Sequence, residues 1–316
     1  MASTADAGPP VVKKRKPLST RIWDHRWVYL LMFPGVFSVL LFHYVPFYGI
    51  QLAFKDFNFG LGIWGSPWNG LDNFRRMFDN PMFIRAFQNT IIISIGRLIT
   101  GFPVPIILVL LINELRGNRF RKISQTILFT PHFISWIVVA GLIFNIFNTT
   151  TGLYAHIWRH FFDTHPPSVL VNPDLFRPML YISGIWKGAG WGMVIYLAAV
   201  AGIDPGLYES AQIDGANRFQ RAIYITIPML KFAIALNLIL SLGSVMDAGF
   251  DQILNLYSPQ TFRTGDIIDT FVFRFGIVQG RFHIGAAVGL FKSVINCFLL
   301  IGANYASRKL SGFSLW

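Results

Sequence analysis

Residues 86–112 read AFQNTIIISIGRLITGFPVPIILVLLI, and Arg97 is the only charged residue among them. A helix needs about 20 mostly apolar residues to cross the hydrocarbon core of a bilayer, so this stretch predicts a transmembrane helix. Pro103 and Pro105 do not argue against it, because neighbouring helices can satisfy the carbonyls that a proline leaves free. This one stretch therefore predicts an integral membrane protein.

Five further stretches have the same character, although one of them is shorter and more polar. In chain order they cover 28–54, 123–147, 179–201, 227–246 and 285–306. Over the 316 residues, 53% are hydrophobic and only 13% are charged, whereas a soluble domain carries roughly 25% charged residues. We therefore predict an all-α integral membrane fold of about six transmembrane helices.

Lysines and arginines set the predicted orientation. The net charge of +12 would suggest a nucleic-acid partner in a soluble protein. Here the cations collect on alternate connecting segments instead, so no nucleic acid is expected. The strongest indication of orientation is the short loop after the second stretch, which contains Arg116, Arg119, Arg121 and Lys122. Since cytoplasmic loops carry the excess of cations, both termini are predicted to lie inside, N-in/C-in.

The N-terminal residues differ from the rest of the chain. Residues 1–17 are polar, with a basic cluster at 13–16, and predict a disordered basic tail; residues 18–316 then form one transmembrane domain. The single cysteine, Cys297, lies in an apolar run and has no second cysteine to pair with. The fold is therefore expected to form without an intrachain disulfide.

The cytoplasmic loop between the fourth and fifth spans is the most specific feature of the sequence. Asp204 followed by proline is a helix start, and Gly215 can adopt the left-handed conformation that ends a helix. The pattern predicts a short helix over 205–214 and a second over 216–227, with Pro228 at the start of the fifth span. Two interpretations stay open: an ordinary capped helical hairpin, or a rigid protrusion that binds a partner.

This loop, residues 204–228, also resembles a known signature. In order it contains Glu209-Ser210-Ala211, three residues, Gly215, nine residues and Ile225-Thr226-Ile227-Pro228. The spacing resembles the Glu-Ala-Ala, Gly and Ile-x-Leu-Pro signature of permease subunits of binding-protein-dependent type I ABC importers. The loop departs from that signature at Ser210 and Ile227, and both are close in size to the residues they replace.

The resemblance extends along the chain. It includes GLDNFRR at 70–76, TPHFISW at 130–136 and AVAGIDP at 199–205. These segments are similar to the oligosaccharide-uptake branch of the family, and within it to a permease subunit of bacterial alginate importers.

The resemblance implies a permease subunit that moves oligo- or polysaccharide across the cytoplasmic (inner) membrane of a bacterium. The implied partners are a second, related permease subunit, two cytoplasmic ATPase subunits and a periplasmic or extracellular solute-binding protein. The residues it assigns to ATPase coupling are Glu209, Ser210, Ala211, Asp214, Gly215 and Pro228. The chain itself has no Gly-x-x-x-x-Gly-Lys-[Ser/Thr] phosphate loop. It is therefore expected to be no enzyme and to bind no cofactor, with ATP and Mg²⁺ on the partner ATPase.

A substrate path needs polar side chains that face the interior of the bundle. At about 100° per residue, Thr90, Ser94 and Arg97 share one face of the second span. The candidate path residues are Arg97, Lys187, Trp191, Asn237, Lys292 and Asn296. Cations outnumber carboxylates near this path, which favours an acidic, alginate-like saccharide.

Alternatives stay open for several of these residues. Lys187 could snorkel to the outer interface instead of lining the path. Asp247 is the main intramembrane acid and could pair with Arg97 or Lys292. The glycines spaced by four at 184–192 are more typical of close helix packing than of a ligand surface.

Other functions have weaker support. His156, His160 and His165 have helix-like metal spacing, but they lie in an outer loop and no metal is expected. Asp266 and Asp269 could suggest a membrane enzyme, but a solvated face of an outer loop explains them better. A stand-alone secondary sugar transporter or channel is the alternative function. It would normally require ion-coupling carboxylates in the membrane, and this chain has few.

Overall fold

The computed structural model describes residues 20, 23–115 and 117–311, so the predicted tail 1–17 lies outside the described residues. Within these ranges the chain is helical, and extended backbone pairs only in an isolated antiparallel bridge between Lys55 and Trp68. The described residues divide into two compact units, one that ends at residue 51 and one that begins at residue 52.

Five helices in the described ranges are long and apolar enough to cross a membrane, and a bent helix pair makes six when it is taken as one span. In chain order they are Arg26–Phe54 (span 1), Pro81–Asn113 (span 2), Asn118–Phe133 with Trp136–Ile146 (span 3), Pro173–Ala201 (span 4), Arg218–Gly243 (span 5) and Phe282–Lys309 (span 6). Each overlaps one of the predicted stretches, so the all-α membrane fold of about six helices is confirmed.

The spans contain shorter helical segments. Their α-helices are Arg26–Val39, Pro81–Gly101, Pro103–Asn113, Asn118–Phe129, Trp136–Ile146, Pro173–Gly192, Val194–Ala201, Arg218–Arg221, Ile227–Gly243 and Phe282–Ser311. The α-helices between spans are Gly62–Gly65, Asp72–Phe78, Leu153–Phe162, Pro205–Ile213, Phe250–Leu256, Phe262–Gly265 and Ile268–Phe271. The remaining turns are the 3-10 helices Val45–Phe54, Thr130–Phe133 and Pro259–Thr261 and the π-helices Leu40–Tyr44, Ala222–Thr226 and Val272–Val278.

Span 3 is not the single straight helix predicted over 123–147. Its two halves meet at 97°. The first half ends in the 3-10 turn Thr130–Phe133, Ile134 is extended with ψ 132°, and the Ser135 side chain caps the second half. Pro131 has no amide hydrogen to continue the α-helical ladder. The prediction of an unbroken helix is therefore wrong, and the proline and the serine cap explain the break.

In the first unit, the helix Arg26–Val39 carries apolar side chains along its whole length, with Pro34 inside it. The rings of Phe33 and Phe37 stack at 5.7 Å on one side. Helices that are apolar all round are typical of membrane spans.

In the second unit, buried apolar side chains form three clusters. The cytoplasmic cluster joins spans 2, 4 and 5 through Val109, Ile112, Met193, Tyr196, Val200, Leu230 and Ala233. A second cluster lies around the outer parts of spans 2, 3 and 4, with Ile93, Val139, Ala140, Ile143, Phe176, Met179, Leu180, Ala248, Ile253, Leu256 and Ile267. The third joins spans 2 and 6 through Met77, Phe83, Ala86, Met246, Ile268, Phe271, Ile284 and Val288. Span 2 contributes to all three clusters and so links the two ends of the bundle.

The connection between spans 5 and 6, which we call the outer segment (residues 247–281), folds back against the bundle. It turns at Gly249, whose φ of +85° favours glycine. Gln252, Thr261 and Thr270 in this segment are fully buried. The segment therefore adds polar side chains to the interior of the bundle.

Candidate functional site

The coupling loop (residues 204–228) has the predicted helix–turn–helix form. The Asp204 side chain accepts a hydrogen bond from the amide of Gly206 at 2.9 Å and starts the helix Pro205–Ile213, which we call the coupling helix. The chain then turns at Gly215, whose φ is +81°. Both the aspartate cap and the left-handed glycine are confirmed.

The second helix of the loop begins later than predicted. It starts at Arg218 instead of residue 216, because Asn217 and Gln220 form a reciprocal capping box. Pro228 lies in the first turn of the α-helix Ile227–Gly243, as predicted, but that helix continues directly from the helix that begins at Arg218. A π-helical turn, Ala222–Thr226, precedes this proline, and such turns accommodate a break in the regular ladder. The position of Pro228 at the entry of the fifth span is therefore confirmed, while the membrane-length helix itself begins earlier, at Arg218.

The outward side of the loop is available to a partner. Glu209, Ser210 and Asp214 are exposed, and Ala211 is half-buried. Ile213 is 88% exposed at the end of the coupling helix. Isolated exposed apolar residues are common, but this one stands among polar side chains at the tip of a rigid turn. The docking role of these residues stays a prediction.

The inward side of the loop is tied to the bundle. The Tyr208 hydroxyl lies 3.0 Å from the hydroxyl of buried Thr226. Arg221 donates to Glu114, at the end of span 2, at 3.0 Å. A groove of about 660 Å³ separates the coupling helix from span 2, and its lining residues are Asn113, Glu114, Tyr208, Gln212, Ala216, Asn217, Arg218 and Arg221. Sequence reasoning did not single out Glu114 or Tyr208, since neither belongs to a local motif.

A second group of polar residues lies within the bundle, and we call Arg97, Gln252, Asp247, Asp269 and Lys292 the central polar cluster. The Nζ of Lys292 lies 2.5 Å from Asp247 Oδ1 and 2.6 Å from Asp269 Oδ1. The predicted pairing of Asp247 is therefore confirmed for Lys292. Asp269 was wrongly assigned to a solvated face, because the outer segment folds it back onto span 6.

Arg97 has a neutral partner instead. Its guanidinium donates to the side-chain oxygen of Gln252. Gln252 is fully buried, and its amide donates to the backbone oxygen of Leu180 at 2.9 Å and to Ser183 at 2.8 Å. Among the described residues, no carboxylate oxygen lies within 4.0 Å of the Arg97 guanidinium. Lys292 thus contacts two carboxylates, whereas Arg97 has no ion-pair partner. The cluster as a whole contains two cations and two carboxylates, so the predicted excess of cations is not found within it.

Arg97 lines two cavities of similar size. One is about 210 Å³, and its lining residues are Ser94, Arg97, Leu98, Phe102, Ser241, Ser244, Val245 and Asp247. The other is about 220 Å³, and its lining residues are Arg97, Thr100, Gly101, Pro105, Tyr181, Gly184, Ile185, Gly188 and Ala189. The buried hydroxyl oxygen of Ser94 has no hydrogen-bond partner in the protein. Hydroxyls, a cation and a carboxylate around one cavity are suited to a hydrated, polar ligand.

Two predicted path residues of span 4 contact span 3 instead of Arg97. Lys187 donates to the backbone oxygen of His132 at 2.7 Å, at the break in span 3, so it does not snorkel to the interface. The Trp191 ring stacks on His132 with centroids 4.6 Å apart and planes 5° apart. Of the glycines at 184–192, Gly192 does pack closely, since a Cβ there would lie 2.9 Å from Pro105. The side chains of Lys187 and Trp191 therefore hold the bend of span 3 in place.

The remaining predicted path residues also make structural contacts. Asn237 donates to the Tyr196 hydroxyl at 3.1 Å in the cytoplasmic cluster. Asn296 accepts from the amide of Met246 at 3.3 Å, next to Asp247. Only Asn296 therefore lies beside the central polar cluster.

Asp266 is not a solvated loop carboxylate. It is 4% exposed, lies 2.5 Å from an Arg274 guanidinium nitrogen, and accepts from Thr270 at 2.7 Å. Burial raises the pKa of Asp266 above its ordinary value, although the Thr270 hydrogen bond and the Arg274 charge act in the opposite direction. The Asn89 side chain of span 2 donates to the Asp266 backbone oxygen at 2.9 Å. This acid therefore fastens the outer segment to the bundle.

The histidines at 156, 160 and 165 do not come together as a metal site. Over the described ranges, no group of three or more His, Cys, Asp and Glu side chains is arranged to hold a metal ion.

The sequence of this chain is similar to those of known transport proteins. A family model described as "Binding-protein-dependent transport system inner membrane component" matches residues 101–312. The polygalacturonan/rhamnogalacturonan transport system permease protein YteP of Bacillus subtilis (strain 168) is 39% identical over 313 residues, and the match covers 97% of both chains.

Two solved structures are also similar. One is a bacterial ABC transporter involved in the import of the acidic polysaccharide alginate; its matching chain has a TM-score of 0.86 and 38% identity, over 94% of this chain and 100% of that one. The other is a bacterial alginate ABC transporter in complex with an alginate pentasaccharide-bound periplasmic protein, with a TM-score of 0.86 and 37% identity, over 95% of this chain and 100% of that one. The chain thus belongs to the family of binding-protein-dependent transport system inner membrane components, the permease subunits of importers.

Proposed function

We propose that this chain is one permease subunit of an ATP-driven importer that moves an acidic oligo- or polysaccharide across the bacterial cytoplasmic membrane. A second, related permease, two cytoplasmic ATPase subunits and an external solute-binding protein complete the importer. The observation that carries the proposal is the coupling loop, a rigid capped turn with exposed Glu209 and Asp214 and an 88% exposed Ile213.

The loop is proposed to dock in the ATPase subunit. Its outward residues Glu209, Ser210, Ala211 and Asp214 make the contacts, Gly215 fixes the turn, and Pro228 follows the π-helical turn Ala222–Thr226 within span 5. ATP and Mg²⁺ bind to the partner subunit, which hydrolyses the nucleotide. Closure of the ATPases then switches the spans between two discrete packings.

The central polar cluster is proposed to meet the saccharide. A cation without an ion-pair partner is costly inside a membrane protein, and an anionic group on the ligand would offset that cost at Arg97. Lys292 already pairs with two carboxylates, Asp247 and Asp269, and has less to gain from a further anion. Two similar proteins support an acidic saccharide as the substrate. YteP is a permease of a polygalacturonan/rhamnogalacturonan transport system, and the solved transporter is involved in the import of alginate.

Co-purification and ATPase measurements test this proposal. A tagged chain expressed in its native host is expected to bring down an ATPase subunit and a second permease. ATP hydrolysis by that complex in nanodiscs is expected to rise with alginate or galacturonan oligosaccharides presented by the binding protein, and less with a neutral oligosaccharide of equal length. Saccharide uptake by the purified chain alone, in vesicles without ATP, would instead support the alternative of a stand-alone secondary transporter or channel.

A further inference from the structure

Glu114 occupies an unfavourable position for an acid unless it is paired. It is the C-terminal cap of the helix Pro103–Asn113 at the cytoplasmic end of span 2. The partial negative charge at a helix C-terminus disfavours a carboxylate there. The Glu114 side chain is only 22% exposed, so water screens this cost incompletely. A cation held against it therefore has a clear energetic role.

Span 5 supplies that cation. Arg221 Nη2 donates to Glu114 Oε2 at 3.0 Å, and the Arg221 side chain is 11% exposed. Arg218 lies in the same helical turn, but its Nε is 4.0 Å from the same oxygen and its side chain is 54% exposed. The buried, close partner is thus Arg221, and Arg218 is a neighbouring cation that makes little contact.

The coupling helix contacts the next turn of span 5. The Tyr208 hydroxyl of that helix lies 3.0 Å from the Thr226 hydroxyl, and Thr226 is 1% exposed within the π-helical turn after Arg221. A continuous set of contacts therefore leads from the coupling helix to span 5 and on to Glu114. Glu114 follows directly on span 2, the span that carries Arg97.

We propose that the Glu114–Arg221 pair is the joint through which a displacement of the coupling helix moves span 2. The inference rests on the proposed function, because it needs an ATPase that moves this helix. Glu114 is a positioning residue: it contacts neither nucleotide nor saccharide, and it makes spans 2 and 5 move together. Without the pair, the coupling helix and span 5 move while span 2 lags behind, so ATP is hydrolysed without import.

The test is the amount of saccharide imported per ATP hydrolysed by the full importer in proteoliposomes. Glu114→Gln and Arg221→Gln are each expected to lower this ratio by at least about five-fold, the low end of usual coupling free energies. ATP hydrolysis itself is expected to continue. Arg218→Gln, in the same turn, is the matched control and is expected to stay close to the wild-type ratio. Glu114→Arg combined with Arg221→Glu restores the opposite charges and is expected to recover much of the ratio.

Two results would overturn the proposal. One is an unchanged ratio in Glu114→Gln; the other is an equal loss in Arg218→Gln and Arg221→Gln. Thermal unfolding of each purified variant in detergent identifies a variant that fails to fold. In that case the double variant Glu114→Arg with Arg221→Glu decides. Recovery of the import-per-ATP ratio supports the proposed joint, and no recovery refutes it. Failure of the proposed function is distinguishable, because the wild-type importer then shows no ATP-dependent import at all.

Discussion

The coupling loop and the central polar cluster are built in opposite ways. In the loop, the residues that determine the conformation are close together in sequence. Asp204 caps the coupling helix, Gly215 turns the chain and Asn217 caps the next helix. In the cluster, each contact joins residues far apart in sequence, such as Arg97 with Gln252. The loop is therefore a rigid local module suited to docking, whereas the cluster depends on how the spans are packed and can change when they move.

The largest expected effect concerns the cluster. Lys292→Met leaves Asp247 and Asp269 without their shared cation. Removing one partner of a fully buried ion pair costs about 3–5 kcal/mol of unfolding free energy, and because Asp247 is 58% exposed we expect a loss of about 3 kcal/mol, at the lower end of that range. Denaturant unfolding in nanodiscs measures the loss. Lys231→Met, at an exposed lysine of span 5, is the control and is expected to change little. Equal stability of the two variants would show that the cluster does not hold the outer segment to span 6.

The next effect tests how Arg97 is held. Gln252→Leu removes the acceptor of the Arg97 guanidinium, together with the hydrogen bonds that Gln252 donates to Leu180 and Ser183. An unsatisfied buried polar group costs about 1–3 kcal/mol, so the unfolding free energy should fall by about that amount. Asn255→Leu on the same short helix removes only an exposed hydrogen bond to Asp251. If both variants lose the same stability, burial of Gln252 is not what fixes Arg97.

The loop is tested through its glycine. Gly215 has φ +81°, a conformation that costs a β-branched residue about 1–2 kcal/mol or more. Gly215→Val is expected to distort the turn and lower import per ATP about ten-fold, while the bundle stays folded. Gly215→Asn is the matched variant, because asparagine tolerates the left-handed region, and it should retain most of the activity. Normal import by the valine variant would contradict the coupling role of the turn.

The smallest effect is a pH dependence at Asp266. Burial raises the pKa of this folded carboxyl above that of the unfolded chain. Its contribution to stability is therefore fully present below the unfolded pKa of about 4 and is lost as the pH rises through the folded pKa. Asp266→Asn should flatten this part of the stability profile, measured by thermal unfolding between acid and neutral pH. Asp174→Asn, at a 79% exposed acid, is the control. An unchanged profile in Asp266→Asn would show that burial of this carboxyl has no net effect.

The difference between the coupling loop and the central polar cluster also explains which features could be predicted from the sequence. Long apolar runs locate the spans because a bilayer requires a minimum helix length, and local caps locate the coupling helix. The break in span 3 also has local signals, Pro131 and Ser135. It was not predicted because membrane helices often tolerate a proline without breaking.

The central cluster could be predicted only in part. Helical geometry placed Arg97 and Lys292 inside the bundle, but it could not choose their partners. Gln252 and Asp269 belong to the outer segment, which looks like a solvated loop because its helices are short and its residues polar. Its return into the bundle follows from tertiary packing of residues such as Ile253 and Ile268, which no local pattern encodes.

The most direct measurement is the import rate of acidic and neutral oligosaccharides by the reconstituted importer, with and without Arg97→Gln. A lost charged hydrogen bond costs about 1.5–3 kcal/mol, so import of the acidic substrate should fall at least about ten-fold. Import of the neutral substrate should stay near its wild-type rate. Equal losses for both substrates, or no loss for either, would contradict the claim that this permease carries an acidic saccharide past Arg97.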